Sequence, residues 1–252
     1  MKLPLSVSLI SFNEESRIAE TLNAIKDIAS EIIVIDSHST DKTREIAVDL
    51  GCKVFIEDWK GHAPQKQSSL EKCTQKWILC LDCDEVVSED LKIEIIKAIK
   101  NNLNTSYTLN RKTVYLGKLM EYSWQPDRKL RLVKKDSNPR WIGEDVHDKL
   151  ISDYKIVNLK GDLLHYSYFS ISHHFKKAID YAKISAKVYY KNGKRAKILN
   201  LIINPIYAFL NMYFFRSGFL DGWRGLVAAF SSFFGTFIKY AMLWELQSKE
   251  NE

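Results

Sequence analysis

Four short apolar runs, each closing on a polar loop, alternate with helix-length segments over the first 100 residues. The runs cover residues 5–10, 31–35, 53–57 and 77–81. They are too short for buried helices, and near-continuous apolar runs of this length suit parallel strands covered on both faces. After the first run, Asn13-Glu14-Glu15-Ser16 leads into a helix reaching about Ile28, with Ile18, Leu22 and Ile25 on its apolar face. Thr40 is placed to cap a second helix that runs to Leu50 and stops at Gly51. A third helix is predicted from Gln65 to Thr74, and Ser88 caps a fourth that carries Leu91, Ile95, Ile96 and Ile99. Four strand–helix pairs in succession predict an α/β fold with a doubly wound, mostly parallel sheet and right-handed crossovers. Ligands in such sheets lie beyond the carboxyl ends of the strands. Asn13, Asp36, Asp82 and Asp84 are therefore expected on one rim.

Beyond residue 105 the pattern changes. Strand-like pieces at 107–116, 129–134, 155–159 and 163–166 are broken by Gly117, Pro126, Pro139 and Gly161, which predicts a mixed, antiparallel extension of the sheet. A helix over 172–192, capped by Ser172 and ended by Gly193, precedes two strongly apolar stretches, 198–215 and 226–244. The organisation expected is a catalytic domain over 1–168 and a basic, aromatic-rich helical region over 169–252.

The chain has 252 residues, 46% hydrophobic and 27% charged, enough to bury a sizeable core without disulfides. Its net charge of +6 is uneven. Residues 1–150 carry 23 Lys/Arg against 24 Asp/Glu, and residues 151–252 carry 14 against 7. All the excess positive charge lies in the aromatic C-terminal part, which points to an anionic surface such as lipid headgroups. Nucleic acid is disfavoured, because no helix-turn-helix or aromatic RNA-binding motif accompanies the charge. The four cysteines, Cys52, Cys73, Cys80 and Cys83, form no chain-wide framework, and the first residues lack the apolar core of a signal peptide. A reducing, cytoplasmic compartment is expected.

Several side chains can carry chemistry. Asp82 and Asp84 follow an apolar strand, and alternation along a strand would point both the same way. Adjacent carboxylates repel unless a cation sits between them, and hard oxygen ligands suit Mg²⁺ or Mn²⁺. Asp36 also ends a strand and can accept hydrogen bonds from a base or ribose if Thr40 does the helix capping; the plainer alternative is that Asp36 or Asp41 caps. Trp141-Ile-Gly-Glu144-Asp145-Val-His147-Asp148 gathers three carboxylates and an imidazole. Asp148 and Asp145 are the candidate general bases, the alternative being a polar turn. His165 is a candidate third metal ligand or a satisfied, half-buried histidine. The Cys80–Cys83 pair sits at an offset that sends its sulfurs to opposite faces of a strand, which disfavours zinc. Phosphate-loop, dinucleotide-binding and nucleophile-elbow glycine motifs are all absent from the sequence.

Taken together, Val7-Ser-Leu-Ile-Ser-Phe-Asn-Glu-Glu15, Ile33-Val-Ile-Asp36-Ser with Ser39-Thr-Asp41, and Leu81-Asp-Cys-Asp-Glu85 resemble family 2 glycosyltransferases of the GT-A (nucleotide-diphospho-sugar transferase) fold. Trp124-Gln-Pro-Asp-Arg-Lys-Leu-Arg-Leu132, Val146-His-Asp148, Gly161-Asp-Leu-Leu-His-Tyr166 and Gly218-Phe-Leu-Asp-Gly222 are similar to the lipopolysaccharide inner-core β-glycosyltransferase subgroup (WaaE/KdtX-like). The resemblance implies an inverting, metal-dependent transfer from a nucleotide diphosphate sugar, a UDP-hexose such as UDP-glucose, to a glycolipid or oligosaccharide acceptor. It implies donor contacts from Asn13, Glu15, Asp36, Lys66, Gln67 and Asp82, and a Mg²⁺ or Mn²⁺ ion on Asp84 and Asp82, to which His165 is the candidate third ligand by its place at the end of a late strand. Gln67 stands where relatives place Asn. The base maps to Asp148, one methylene shorter than the Glu common in the subgroup, with Asp145 its rival. A polyprenyl-phosphate glycosyltransferase and a non-catalytic nucleotide-sugar-binding scaffold are the alternatives.

The 18 residues from Ile198 to Phe215 approach the minimum for a membrane span, but Asn200, Asn204 and Asn211 recur at helical spacing and mark a polar stripe. A helix lying on the membrane surface fits better than one crossing it. Peripheral attachment to the inner face of the cytoplasmic membrane is expected.

Overall fold

The computed structural model describes residues 2–143 and 148–249. Its residues cluster into two compact units: Met1–Arg111 with Asp127–His165, and Lys112–Pro126 with Tyr166–Glu252.

The first unit begins with β1 (Leu3–Ser11), α1 (Ile18–Ile25), β2 (Ala29–Asp36), α2 (Thr43–Asp49), β3 (Lys53–Ile56), α3 (His62–Glu71) and β4 (Trp77–Cys80). A short β5 (Glu85–Val87) precedes α4 (Glu89–Asn101). Next come β6 (Thr105–Tyr115), β7 (Lys118–Leu119), β8 (Arg128–Lys134), β9 (Arg140–Ile142), β10 (Lys149–Ile151) and β11 (Lys155–Tyr168). Of these, β7 falls in the second unit, and β6 and β11 run on into it.

The strand order is β3-β2-β1-β4-β8-β6-β11-β5. Strands β1 to β4 pair in parallel, while β8 is antiparallel to both β4 and β6. The chain winds outward from β1 through β2 to β3, then returns to lay β4 on the other side of β1. This reversal opens a crevice at the carboxyl ends of β1 and β4. The parallel strands read as continuous apolar runs because both faces are buried: Leu5, Val7 and Leu9 face one core with Ile18, Leu22 and Trp77, and Ile33, Ile35 and Ile78 face another with Leu70 and Val133.

The α/β prediction and its mixed extension agree with this architecture, with three local corrections. The strand β5 was not anticipated; it pairs with β11 through Glu85–Val87. Gly161 does not break β11. It holds φ +84°, and a Cβ there would lie 2.6 Å from the backbone nitrogen of Leu91, so the strand passes α4 only as glycine. The cap predicted at Thr40 is not made: the N-cap of α2 is Lys42, which gives no side-chain cap, and Asp41 one residue earlier accepts the Thr43 N–H at 3.0 Å. Ser88 does cap α4, accepting the Leu91 N–H at 3.2 Å.

The second unit holds α5 (Ile171–Lys191), α6 (Ile198–Leu210), a π-helical turn Asn211–Phe215, and α7 (Trp223–Ser248). Ser170, not Ser172, caps α5, accepting the His173 N–H at 3.1 Å. Helix α7 packs against both α5 and α6. The reversal before α7 is tight. A Cβ on Gly218 would meet the Met212 carbonyl oxygen at 2.4 Å, and one on Gly225 would meet that of Gly218 at 1.8 Å. The Gly218–Gly222 segment is thereby explained: Asp221, 3% exposed, accepts the backbone N–H groups of Glu121 (3.0 Å), Tyr122 (3.3 Å) and Ser123 (2.7 Å).

Candidate functional site

The loops after β1, β2 and β4 meet at the carboxyl ends of their strands. Burial pushes the Cys83 thiol well up from its ordinary value, and the carboxylates of Glu14, Asp84, Asp82 and Asp36 around it push the same way. The acidic residues expected on one rim therefore share one neighbourhood.

Their roles within it differ. Asn13 adopts the left-handed region (φ 54°), which Asn tolerates well. Its side-chain oxygen accepts the Thr40 N–H at 2.8 Å, and its own N–H donates to Ser39 Oγ at 2.9 Å. Glu15 accepts the Lys42 N–H at 3.0 Å. These bonds zip the β1–α1 loop to the β2–α2 loop. Asp36 is fully buried and accepts from Ser11 Oγ (2.9 Å), the Ser39 N–H (2.8 Å) and Ser39 Oγ. The expectation that Thr40 leaves Asp36 free is corrected: Asp36 braces its own loop, and Thr40 bonds Asn13.

Strand β4 ends at Cys80, so Asp82 and Asp84 lie on a turn, closed by the Glu85 N–H donating to the Asp82 carbonyl at 3.0 Å. Strand alternation therefore does not govern them, and each carboxylate has its own partners. Asp82 Oδ1 lies 2.8 Å from Lys66 Nζ, and Oδ2 lies 2.7 Å from Arg131 Nη2. Burial alone would raise the Asp82 pKa, but Lys66 and Arg131 outweigh it and hold the carboxyl well below the usual carboxylate range. Asp84 Oδ2 lies 3.4 Å from Arg17 Nη1 and 3.3 Å from His165 Nε2.

Lys66, on α3, also reaches Asp148 Oδ2 at 2.9 Å. One ammonium thus joins the turn after β4 to the residue just before β10. The same ammonium lies 4.7 Å from the ring centroid of Trp141, whose buried indole N–H has no hydrogen-bond partner among the described residues. Burial lowers the Lys66 pKa, but Asp82 and Asp148 more than offset this and keep it above its ordinary value. Gln67, one residue on, points elsewhere: its oxygen accepts the Trp141 backbone N–H at 2.9 Å and its amide donates to Glu71 at 2.8 Å. Asp145, the rival base, lies outside the described residues.

Sequence reasoning gave no role to Arg17, Glu85, Arg111 or Arg131. Arg131, 4% exposed, sits between Asp82 and the fully buried Glu85, 2.6 Å from Glu85 Oε1. Arg111 Nη1 approaches the same oxygen at 3.3 Å and its Nε bonds Asp127 at 2.7 Å. The available signal was Leu130-Arg131-Leu132, a base between two leucines in a central strand, which needs a buried acid.

Among the described residues no cluster of three or more His, Cys, Asp or Glu side chains is gathered as a metal cage. Asp84 and His165 offer a carboxylate oxygen and an imidazole nitrogen 3.3 Å apart. Such a two-donor edge fits a hard cation whose remaining ligands are water or phosphate oxygens. Asp82 has both oxygens engaged by Lys66 and Arg131. Lys66 and Arg17 thus bring positive charge to the turn that carries Asp82 and Asp84, and Lys66 holds a further carboxylate, Asp148, at the same turn. All four cysteines are free and buried, and burial pushes Cys80 up to about 12, so the thiols take no part.

Comparisons with known proteins agree with this picture. The family model described as Glycosyl transferase family 2 matches residues 6–149. An uncharacterised glycosyltransferase of Rickettsia typhi is 34% identical over 97% of this chain and 88% of its own length. The lipopolysaccharide core biosynthesis glycosyltransferase LpsC of Rhizobium meliloti is 29% identical over 91% of this chain and 90% of its own. Among solved structures, glucosyl-3-phosphoglycerate synthase from Mycobacterium tuberculosis in complex with phosphoglyceric acid superposes with a TM-score of 0.51 and 16% identity, covering 77% of this chain and 81% of that one. That likeness shows the fold alone, a GT-A-like α/β architecture.

Proposed function

The chain belongs to glycosyl transferase family 2, and on that premise we propose that it moves a hexose, with inversion, from a UDP-sugar such as UDP-glucose to a lipopolysaccharide or lipooligosaccharide core. The similarity to LpsC over nearly the whole chain supports this acceptor class. Transfer is assigned to residues 1–168. Attachment is assigned to 169–252, peripheral on the anionic inner face of the cytoplasmic membrane.

The observation that carries the reading is the Lys66 ammonium bonded to both Asp82 and Asp148. It ties the donor-side acid to the candidate base at the crevice where the strand order reverses. In this reading the β1 and β2 loops, braced by Asn13, Glu15 and Asp36, form the nucleoside floor. Arg17 and Lys66 face the diphosphate. Gln67 holds β9, and so Trp141, in place. Asp148 accepts the proton of the acceptor hydroxyl as that oxygen attacks the anomeric carbon from the face opposite the diphosphate. The new carbon–oxygen bond forms as the bond to diphosphate breaks, and the electron pair leaves with UDP. One displacement inverts the centre, so one base suffices. Asp84 and His165 are the residues that would hold Mg²⁺ or Mn²⁺, which when bound supplies positive charge to the leaving diphosphate.

The test is UDP release from a panel of UDP-hexoses with core oligosaccharide acceptor, with and without Mn²⁺. Wild type should turn over only with metal. Asp84→Ala should lose activity at every metal concentration, and Asp148→Asn should lose about 10²–10⁴-fold in kcat at saturating donor. Full activity in both variants would overturn the reading. UDP binding without turnover in wild type would leave a scaffold. Transfer to a polyprenyl phosphate in place of core would change the acceptor.

A further inference from the structure

Helix α6 is built inside out. Its protein-facing side carries Asn204, which bonds Tyr240 of α7, and the buried Pro205, while Asn200 closes the helix's own first turn by accepting the Lys197 N–H at 2.8 Å. Its apolar residues face outward: Ile198, Ile202, Ile206, Leu210 and Phe214 recur every fourth position, all exposed, and Phe215 beside them is 73% exposed. Only 11% of the 18 residues Ile198–Phe215 is buried, and α7 is long and apolar enough to cross a membrane too. By composition the pair could form a spanning hairpin of about 27 Å, at 1.5 Å per residue over 18 residues.

The ends of the pair exclude that. At the reversal, Arg216 donates to the Gln125 carbonyl at 2.9 Å, Arg224 donates to that of Leu116 at 2.8 Å, and Asp221 takes three N–H groups from 121–123. A spanning hairpin would have to drag residues 112–126, with Lys112, Lys118, Glu121 and their polar backbone, through hydrocarbon. The opposite end is closed by Gln247, which bonds both the N–H and the carbonyl of Ala196.

We infer that α6 and its π-helical turn lie in the plane of one leaflet of an anionic bilayer, the outward stripe among the acyl chains and the hairpin crossing nothing. Residues 191–220 contain five bases (Lys191, Lys194, Arg195, Lys197, Arg216) and no acid. That composition complements anionic headgroups, whereas two copies face to face would set like charges together. The inference rests on the membrane-attachment part of the reading above and not on its chemistry.

The full chain is tested by flotation with phosphatidylcholine vesicles and with vesicles carrying about one-third phosphatidylglycerol. Wild type should float with the anionic vesicles and stay bound after a wash in about 1 M salt, because apolar burial is not screened. The triple variant Ile202→Ser/Ile206→Ser/Phe214→Ser should keep its circular dichroism and partition at least ten-fold more weakly, roughly 1.4 kcal/mol or more. Lys118→Cys, beside the reversal, should react with a membrane-impermeant maleimide equally with and without vesicles; the native thiols are buried and silent. Unchanged flotation of the triple variant, or protection of the cysteine at 118, overturns the inference. So does a wild-type dimer that the same variant dissociates in sedimentation velocity. A chain that floats as stated but releases no UDP upholds the attachment and sinks the transferase reading instead.

Discussion

The two units spend their side chains in opposite ways. In the first, charge is turned inward: Glu85, Arg131, Lys66 and Asp82 form a chain of close ion pairs at the crevice, and Glu85 is wholly buried. In the second, apolar surface is turned outward along α6, while Asn204 and Pro205 take the protein-facing side. Neither choice maximises the stability of a free monomer. Inward charge incurs desolvation that only good geometry offsets, and outward apolar surface forgoes burial. Each departure therefore marks the place where a ligand-binding reading of the first unit and the proposed lipid contact of the second can be tested.

The contrast is broken most severely at Arg131. Arg131→Met leaves the buried Glu85 only the longer Arg111 contact at 3.3 Å and leaves Asp82 to Lys66 alone, and chemical denaturation should show a loss of about 3–5 kcal/mol. Asp221→Ala comes next: three backbone N–H groups lose their acceptor, and a loss of about 2–3 kcal/mol is expected in the second unit. A smaller effect separates the units by pH. Burial first, then His173 and Lys177, pull His174 down to about 4, and its Nδ1 pairs with the Tyr115 hydroxyl at 2.9 Å. The unfolded chain binds this proton near pH 6.5. The contribution is therefore complete above 6.5 and erodes as pH falls toward 4, by about 2 kcal/mol between pH 7 and 5. His174→Phe should flatten that slope. In the first unit Glu31 runs in a lower window. Burial raises its pKa, but Ser6, Thr74 and Lys53 outweigh this and hold it at about 2, so its contribution is lost only as pH falls from 4.5 toward 2. Hydrogen exchange followed in acid should show the second unit loosening first. The smallest effect belongs to the outward stripe: Phe215→Ser should shift stability in detergent-free solution by no more than about 0.5 kcal/mol.

The parallel half of the fold was legible because strand period and helix period agree in it; Ile18, Leu22 and Ile25 and the run Ile32–Ile35 fall where the spacing predicted. The rim of acids was legible for the same reason, since loop position in a doubly wound sheet follows from topology. What each acid does there was not legible. Asp82 and Asp84 stand on a turn, so no periodicity fixes where they point, and their partners Lys66, Arg131, Arg17 and His165 are distant in sequence. Asp36 carries no sign in the chain that Ser11 and Ser39 will claim it. Gly161 looks like a breaker until Leu91 is seen against it. The attachment of residues 112–126 to the second unit depends on Asp221, about 100 residues downstream, and pattern reading does not reach that far. The asparagine stripe of α6 showed that the helix has two faces but not which one meets the protein.

The backbone crossing of Gly218 and Gly225 has a consequence for how this chain can vary. A single methyl at either position has nowhere to go short of parting the main chains, so even alanine there is a large insult, whereas on the exposed outward stripe isoleucine, phenylalanine and serine should be nearly interchangeable for folding. Random mutagenesis selected only for soluble, folded protein should therefore spare these two glycines and scramble the stripe. Selection for work at a lipid surface should preserve both.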